Sequence, residues 1–342
     1  MTDWSAFYEQ FGIWPVAQPF ADLMFDEQEV RLVLALGERA LTAGQVSSML
    51  ELAPGSAHLL LDRCYRRLIV DQQGKEPDIV YRATDFYTFL DYFIKYESWD
   101  VIPIDDRRAI DRKYLQEFIA RVEEGVALKM DGNTTPEALP NDSVMLLHEV
   151  EAMIDAAADI VVQPCNCRRS GKYCERPVET CIWLDDGARA ALDRGHGRPL
   201  TKEAAKKLLR WADKKGLMHT ADSEWRRRGL HAICNCCACD CYLFRAAAEL
   251  GSKGAWPKIR YLAEIDATEC SLCGACVKRC HFSAFYHDGP IVKIKGKDKK
   301  MVSFDPNKCW GCGLCANTCP TEAIGMMQLD VRQQVDALLT SS

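Results

Sequence analysis

Eighteen cysteines stand in a chain of 342 residues, and seventeen of them cluster between Cys165 and Cys319. Two runs share one spacing: Cys270-x2-Cys273-x2-Cys276-x3-Cys280, then Cys309-x2-Cys312-x2-Cys315-x3-Cys319-Pro320. Thiolates are metal ligands, and three from one tight loop can cap three corners of a metal–sulfur cube. The small residues Gly274, Ala275, Gly311 and Gly313 let backbone amides turn towards the sulfurs. Zinc knuckles use cysteine pairs, so this doubled triplet-plus-one pattern points away from zinc.

The runs resemble the bacterial-type ferredoxin that carries two 4Fe-4S clusters, over about residues 260–327. The resemblance implies that the fourth cysteine of each run serves the other cluster. Cys270, Cys273, Cys276 and Cys319 would hold one cube; Cys309, Cys312, Cys315 and Cys280 would hold the second. Two departures stand out: His281 follows the first run where the family has proline, and the gap between runs is long. That added segment, Ile291 to Phe304, alternates like a hairpin with a charged turn. Its lysines could steer an acidic partner, although a solvated loop suits them better.

The central nine cysteines follow no family pattern. Cys165-Asn166-Cys167 continues to Cys174 and Cys181, and Cys234-Asn235-Cys236-Cys237-Ala238-Cys239-Asp240-Cys241 comes later. The shared Cys-Asn-Cys suggests a small repeat. If the second segment is extended, alternation puts Cys234 and Cys236 on one face and Cys237, Cys239 and Cys241 on the other, so one strand could serve two metal sites. Nine cysteines suffice for one or two additional iron–sulfur clusters, the favoured reading. A zinc site built from a subset, and a cluster with an open iron corner for substrate, are the competing ones. Arg168, Arg169 and the Arg226–Arg228 run could offset cluster charge or simply face water. His231 and His281 read as surface or supporting histidines before they read as ligands.

The elements that must position these residues are legible in part. Asp26 caps a helix carrying Val30, Leu32, Val33 and Leu36; Thr42 starts another with Val46, Met49 and Leu50; a third begins at Ser56, burying Leu59, Leu60, Leu61 and Tyr65. Strands over 68–70 and 79–81 and a helix from Thr84 follow. Three helices and a hairpin resemble a winged helix-turn-helix domain in order and spacing. Cys64 reads as a small core residue. A helix is expected over 143–158, with Val144, Leu147, Val150, Met153 and Ile154 on one stripe, then a β-run at Ile160–Val162. Thr201 caps a helix through Ala204, Leu208, Leu209 and Trp211.

The expected class is therefore α+β and multidomain: a winged-helix-like module (1–97), a connector (98–142) with the turn-rich stretch Asp131 to Pro136, a cysteine-rich α/β metal-binding region (143–250), the ferredoxin domain (251–330) and a tail (331–342). The net charge is −6, and residues 1–100 hold 8 Lys plus Arg against 16 Asp plus Glu. That balance disfavours a nucleic-acid partner, because phosphate contacts dominate such affinity; protein docking is preferred for the first module. There is no apolar run long enough for a membrane span, no signal-peptide pattern at the start, and no nucleotide or flavin fingerprint. The sum is a cytoplasmic electron carrier, donor or subunit of a redox enzyme system with redox protein partners. A redox-sensing transcription regulator and a reductase with an open-corner central cluster are the alternatives.

Overall fold

The computed structural model describes residues 2–75, 78–132, 143–294 and 296–329. Contacts group the chain into two units: Met1–Glu117 with Pro164–Lys172 and Ala191–His196, and Phe118–Gln163 with Tyr173–Ala190 and Gly197–Ser342.

In the first unit, helix Trp4–Phe11 brings Phe7 and Phe11 onto Phe25, which lies 4.3 Å from Phe89 between ring centres. Helix Glu27–Leu36 starts in a reciprocal cap: Glu29 N–H donates to Asp26 at 2.9 Å and Asp26 N–H donates to Glu29 at 3.1 Å. Thr42 and Gln45 repeat the device before helix Ala43–Leu50. The next helix begins at Pro54, two residues before the expected Ser56, because proline presets the first helical φ. Its buried stripe is Ala57, Leu60, Leu61 and Cys64 at the i, i+3, i+4, i+7 spacing. Leu59, expected inside, is 74% exposed, and Met49 is exposed as well.

Leu68 takes a left-handed turn (φ 58°), so the strands start later than expected. With β1 (Leu41–Thr42), β2 (Val70–Gln73) and β3 (Val80–Ala83), the sheet order is β1-β3-β2, antiparallel throughout. Asp85 caps helix Phe86–Tyr96. Arg63 pairs with Asp26 at 2.7 Å, Arg66 with Asp62 at 3.0 Å, and Arg67 with Glu29 and Glu97 at 2.5 and 2.6 Å. The basic end of the helix that begins at Pro54 is thus neutralised from within its own unit.

Where a connector was expected, residues Ile104–Met130 form a 27-residue helix. Ile110, Tyr114, Leu115, Val122 and Val126 are buried along it, and Lys113 pairs with Glu117 at 2.7 Å. Of the turn-rich stretch, Asn133 to Pro136 lies outside the described residues, as do residues 330–342 of the expected tail. Among the described residues no helix is long and apolar enough to cross a membrane.

The second unit is built on a six-stranded sheet of β4 (Ser143–Met145), β5 (Ile160–Pro164), β6 (Glu179–Leu184), β7 (Arg198–Pro199), β8 (Met218–Ala221) and β9 (Ala232–Cys236), in the order β4-β8-β9-β6-β5-β7. The helix expected over 143–158 is therefore corrected at its start. Ser143–Met145 pairs with β8 instead, and the helix spans Leu147–Ala156, where Glu149 accepts the N–H of Leu146 at 2.9 Å. Thr201 caps helix Lys202–Lys214 as expected. Val150, Met153 and Ile154 meet Ala205, Leu209, Ile182 and Ile233 in the core under this sheet.

The expected extension through Cys241 stops at Cys236. The chain turns at 237–240, and Cys241 begins helix Tyr242–Leu250. The Cys-Asn-Cys repeat is likewise not structural: Cys165 opens helix Asn166–Gly171, whereas Cys234-Asn235-Cys236 lies in β9. Beyond it, β10 (Tyr261–Ile265) pairs antiparallel with β13 (Ile324–Gln328), and β11 (Phe285–Ile294) forms the expected hairpin with β12 (Lys297–Phe304).

Candidate metal centres

Each C-terminal cysteine triplet winds into a short helix. Gly274 and Gly313 adopt left-handed conformations (φ 71° and 76°) just before helices Ala275–Arg279 and Leu314–Asn317. Cys270, Cys273, Cys276 and Cys319 line one cavity. Cys280, Cys309, Cys312 and Cys315 line another. Each cavity draws three thiols from one run and the fourth from the other. The remaining lining is largely apolar, with Val302, Ala323 and Ile324 in the first and Phe282, Phe285, Trp310 and Leu314 in the second. Four converging thiols in a largely apolar pocket are the donor set a 4Fe-4S cluster takes.

Burial pushes the thiols of Cys276 up to about 11 and Cys312 up to about 12, and raises Cys309 and Cys315. A bound cation reverses that penalty by stabilising the thiolate. At Cys319 burial also acts upward, but the amide and hydroxyl of Thr321 and the amides of Ala323 and Ile324 outweigh it and hold the thiol below its usual value. Backbone N–H groups of Ala284 and Gly311 reach the sulfurs of Cys280 and Cys309 at 3.2 and 3.4 Å.

The cavities differ in cover. Cys273 is exposed in the first, whereas Cys309 and Cys315 are buried in the second. There Trp310 stacks on Phe282 at 4.9 Å and meets Phe244 edge-on at 5.1 Å. His281 hydrogen-bonds the Gly216 carbonyl at 2.6 Å, and burial lowers its pKa. Arg279 donates to the Lys214 carbonyl at 2.8 Å, and Asn317 to Asp213 at 2.7 Å, fastening both short helices to helix Lys202–Lys214.

The central cysteines separate into groups. Cys236 and Cys241 have sulfurs 3.2 Å apart. Cys234 and Cys241 hydrogen-bond Cys236 and, together with burial, push its thiol well up. Ile182 pairs with Ile233, and the same register sets Cys181 opposite Cys234 across β6 and β9. Cys174, Cys237 and Cys239 gather instead with Asp240, a residue that cysteine spacing alone does not single out. Its signal was a carboxylate embedded in a cysteine run. Cys165 and Cys167 belong to the first unit, at the head of helix Asn166–Gly171, where Asn166 donates to Asp91 at 2.6 Å.

Arg168 is buried, not facing water. Arg169 donates to the carbonyls of Lys95 and Glu97. Arg227 pairs with Glu224, Arg228 with Asp222 at 3.0 Å, and Arg226 lies over the Trp225 ring. His231 is exposed, and its carbonyl accepts the N–H of Leu184.

Residues 269–323 match the family of 4Fe-4S dicluster domains. The chain is 30% identical over 83 residues to the indolepyruvate oxidoreductase subunit IorA of Pyrococcus abyssi, which is 24% of this chain and 11% of that protein. The chain thus spans about a tenth of that relative's length. It is 36% identical over 73 residues to the pyruvate synthase subunit PorD of Thermotoga maritima, covering 21% and 63% of the two chains. An uncharacterized ferredoxin of Methanocaldococcus jannaschii is 33% identical over 60 residues, 18% of this chain and 70% of the ferredoxin. No solved structure matches. Through its C-terminal segment the chain belongs to the ferredoxins, iron–sulfur electron-transfer proteins of the 4Fe-4S dicluster type.

Proposed function

We propose that this protein passes single electrons as a donor or subunit of a multi-subunit oxidoreductase. Cys270, Cys273, Cys276 and Cys319 would hold one cluster and Cys309, Cys312, Cys315 and Cys280 the other. The observation that carries the reading is the sorting of eight thiols into two largely apolar-lined cavities, four to each. A bound 4Fe-4S cluster supplies reversible one-electron oxidation and reduction. The protein's part is to hold the sulfurs on loops pinned by Arg279, His281 and Asn317, so that little moves when charge changes. Trp310, Phe282 and Phe244 exclude water from the second cavity, and the amides of Ala284 and Gly311 stabilise charge on sulfur. The exposed Cys273 edge suits exchange with a partner.

Cys181, Cys234, Cys236 and Cys241 are the candidates for one further cluster, whose loading would part Cys236 from Cys241. The first unit reads as a winged-helix-like docking module for protein: the internal pairing of Arg63, Arg66 and Arg67 leaves that helix poorly suited to phosphate. Cys165 and Cys167 are assigned no metal.

Iron and acid-labile sulfide assays on anaerobically purified full chain, with low-temperature paramagnetic resonance after reduction, test this. About eight iron atoms per chain fit the ferredoxin clusters alone, and about twelve include the central one. Protein without labile sulfide, or turning over a small substrate with only an artificial donor, overturns the carrier reading.

A further inference from the structure

We propose that Cys174, Cys237, Cys239 and Asp240 form a closed, tetrahedral three-sulfur, one-oxygen site for a single zinc-like divalent ion. The four donor atoms all lie within 4.8 Å of one another. Cys174 and Cys237 sulfurs are 3.8 Å apart, and Asp240 Oδ2 lies 3.4 Å from Cys237 and 3.2 Å from Cys239. Zinc–sulfur bonds of about 2.3 Å and zinc–oxygen bonds of about 2.1 Å give tetrahedral edges of about 3.8 and 3.6 Å. One ion at the centre of the group reaches all four donors with small adjustments.

The surroundings suit a cation. Asp240 is fully buried; the Tyr173 N–H fixes its Oδ1 at 2.7 Å and leaves Oδ2 aimed at the thiols. A buried carboxylate among groups that become thiolates is costly unless a cation compensates it. Arg176 approaches the Cys239 sulfur at 3.9 Å, positioned to offset the surplus negative charge of three thiolates and a carboxylate around one divalent ion. Cys237 packs with buried Ala212 and Leu217, which keep that wall of the site dry. With four protein donors and no open position, the site is structural: it ties the segment before β6 to the turn after β9, 63 residues away.

The test is independent of the electron-transfer reading. In the full chain, purified anaerobically, metal analysis should find about one zinc, and X-ray absorption at the zinc edge should show about three sulfurs near 2.3 Å and one oxygen near 2.1 Å. Asp240→Ala should lose most of the zinc while iron, sulfide and the paramagnetic spectrum stay unchanged. Absence of zinc from the wild type, a four-sulfur or nitrogen-containing zinc shell, or loss of iron and sulfide instead of zinc from Asp240→Ala each overturns the assignment. Should that variant fail to fold, the wild-type absorption spectrum decides alone.

Discussion

Gly311 has no room for a side chain: at φ 65°, a Cβ would stand 2.2 Å from the Tyr261 carbonyl oxygen, a backbone atom of β10 that cannot step aside. Gly311→Ala should displace the loop carrying Cys309 and Cys312, so that iron falls by about four atoms per chain while the first unit keeps its circular dichroism. A second residue sets a pH limit. His219 is fully buried, Nδ1 meets Asn235 at 2.7 Å, and Nε2 has no hydrogen-bond partner among the described residues. Burial holds its pKa below the usual value of about 6.5. The folded protein therefore resists a proton that the unfolded chain accepts, and this contribution to stability is complete above pH of about 6.5 and declines as pH falls through that value. Melting temperatures should drop between pH 8 and 5.5 in the wild type and less steeply in His219→Gln; equal slopes would remove His219 as the cause.

At the scale of elements, local chemistry that repeats along the chain was legible and chemistry assembled by folding was not. Asp26 followed by Glu29 announces a helix start because both bonds close within one turn. Asp26 also pairs with Arg63, so Asp26→Ala should cost about 1–2 kcal/mol, read from urea unfolding of the first unit's helices. An unchanged midpoint would show the cap to be dispensable. Leu59 lies outside, against expectation, because three consecutive leucines satisfy several helical stripes and only tertiary packing selects Leu60 and Leu61. The grouping of the eight C-terminal cysteines around two cavities follows short spacings in which loop geometry is encoded. The Asp240 group does not stand out in the sequence, since Cys174 joins it from the segment before β6 and a turn replaces the expected strand.

For the whole molecule, metal should divide behaviour between the units. The first unit rests on an aromatic core of Phe7, Phe11, Phe25 and Phe89 and on the buried Glu29–Arg67 pair, none of which requires a ligand. The C-terminal part has a small core in which cysteines themselves are members. Stripping iron with a chelator under reducing conditions should open residues 260–329 to protease while most helical dichroism persists; uniform resistance would mean that the loops hold without metal.

The uneven cover of the two cavities has a chemical corollary. Dioxygen reaches an edge like Cys273 sooner than a centre behind Trp310 and Phe282. Brief aeration should therefore bleach the ferredoxin absorption in two steps, and a preparation halted between them would carry one surviving cube, identifiable by its ligands through Cys273→Ser and Cys312→Ser variants.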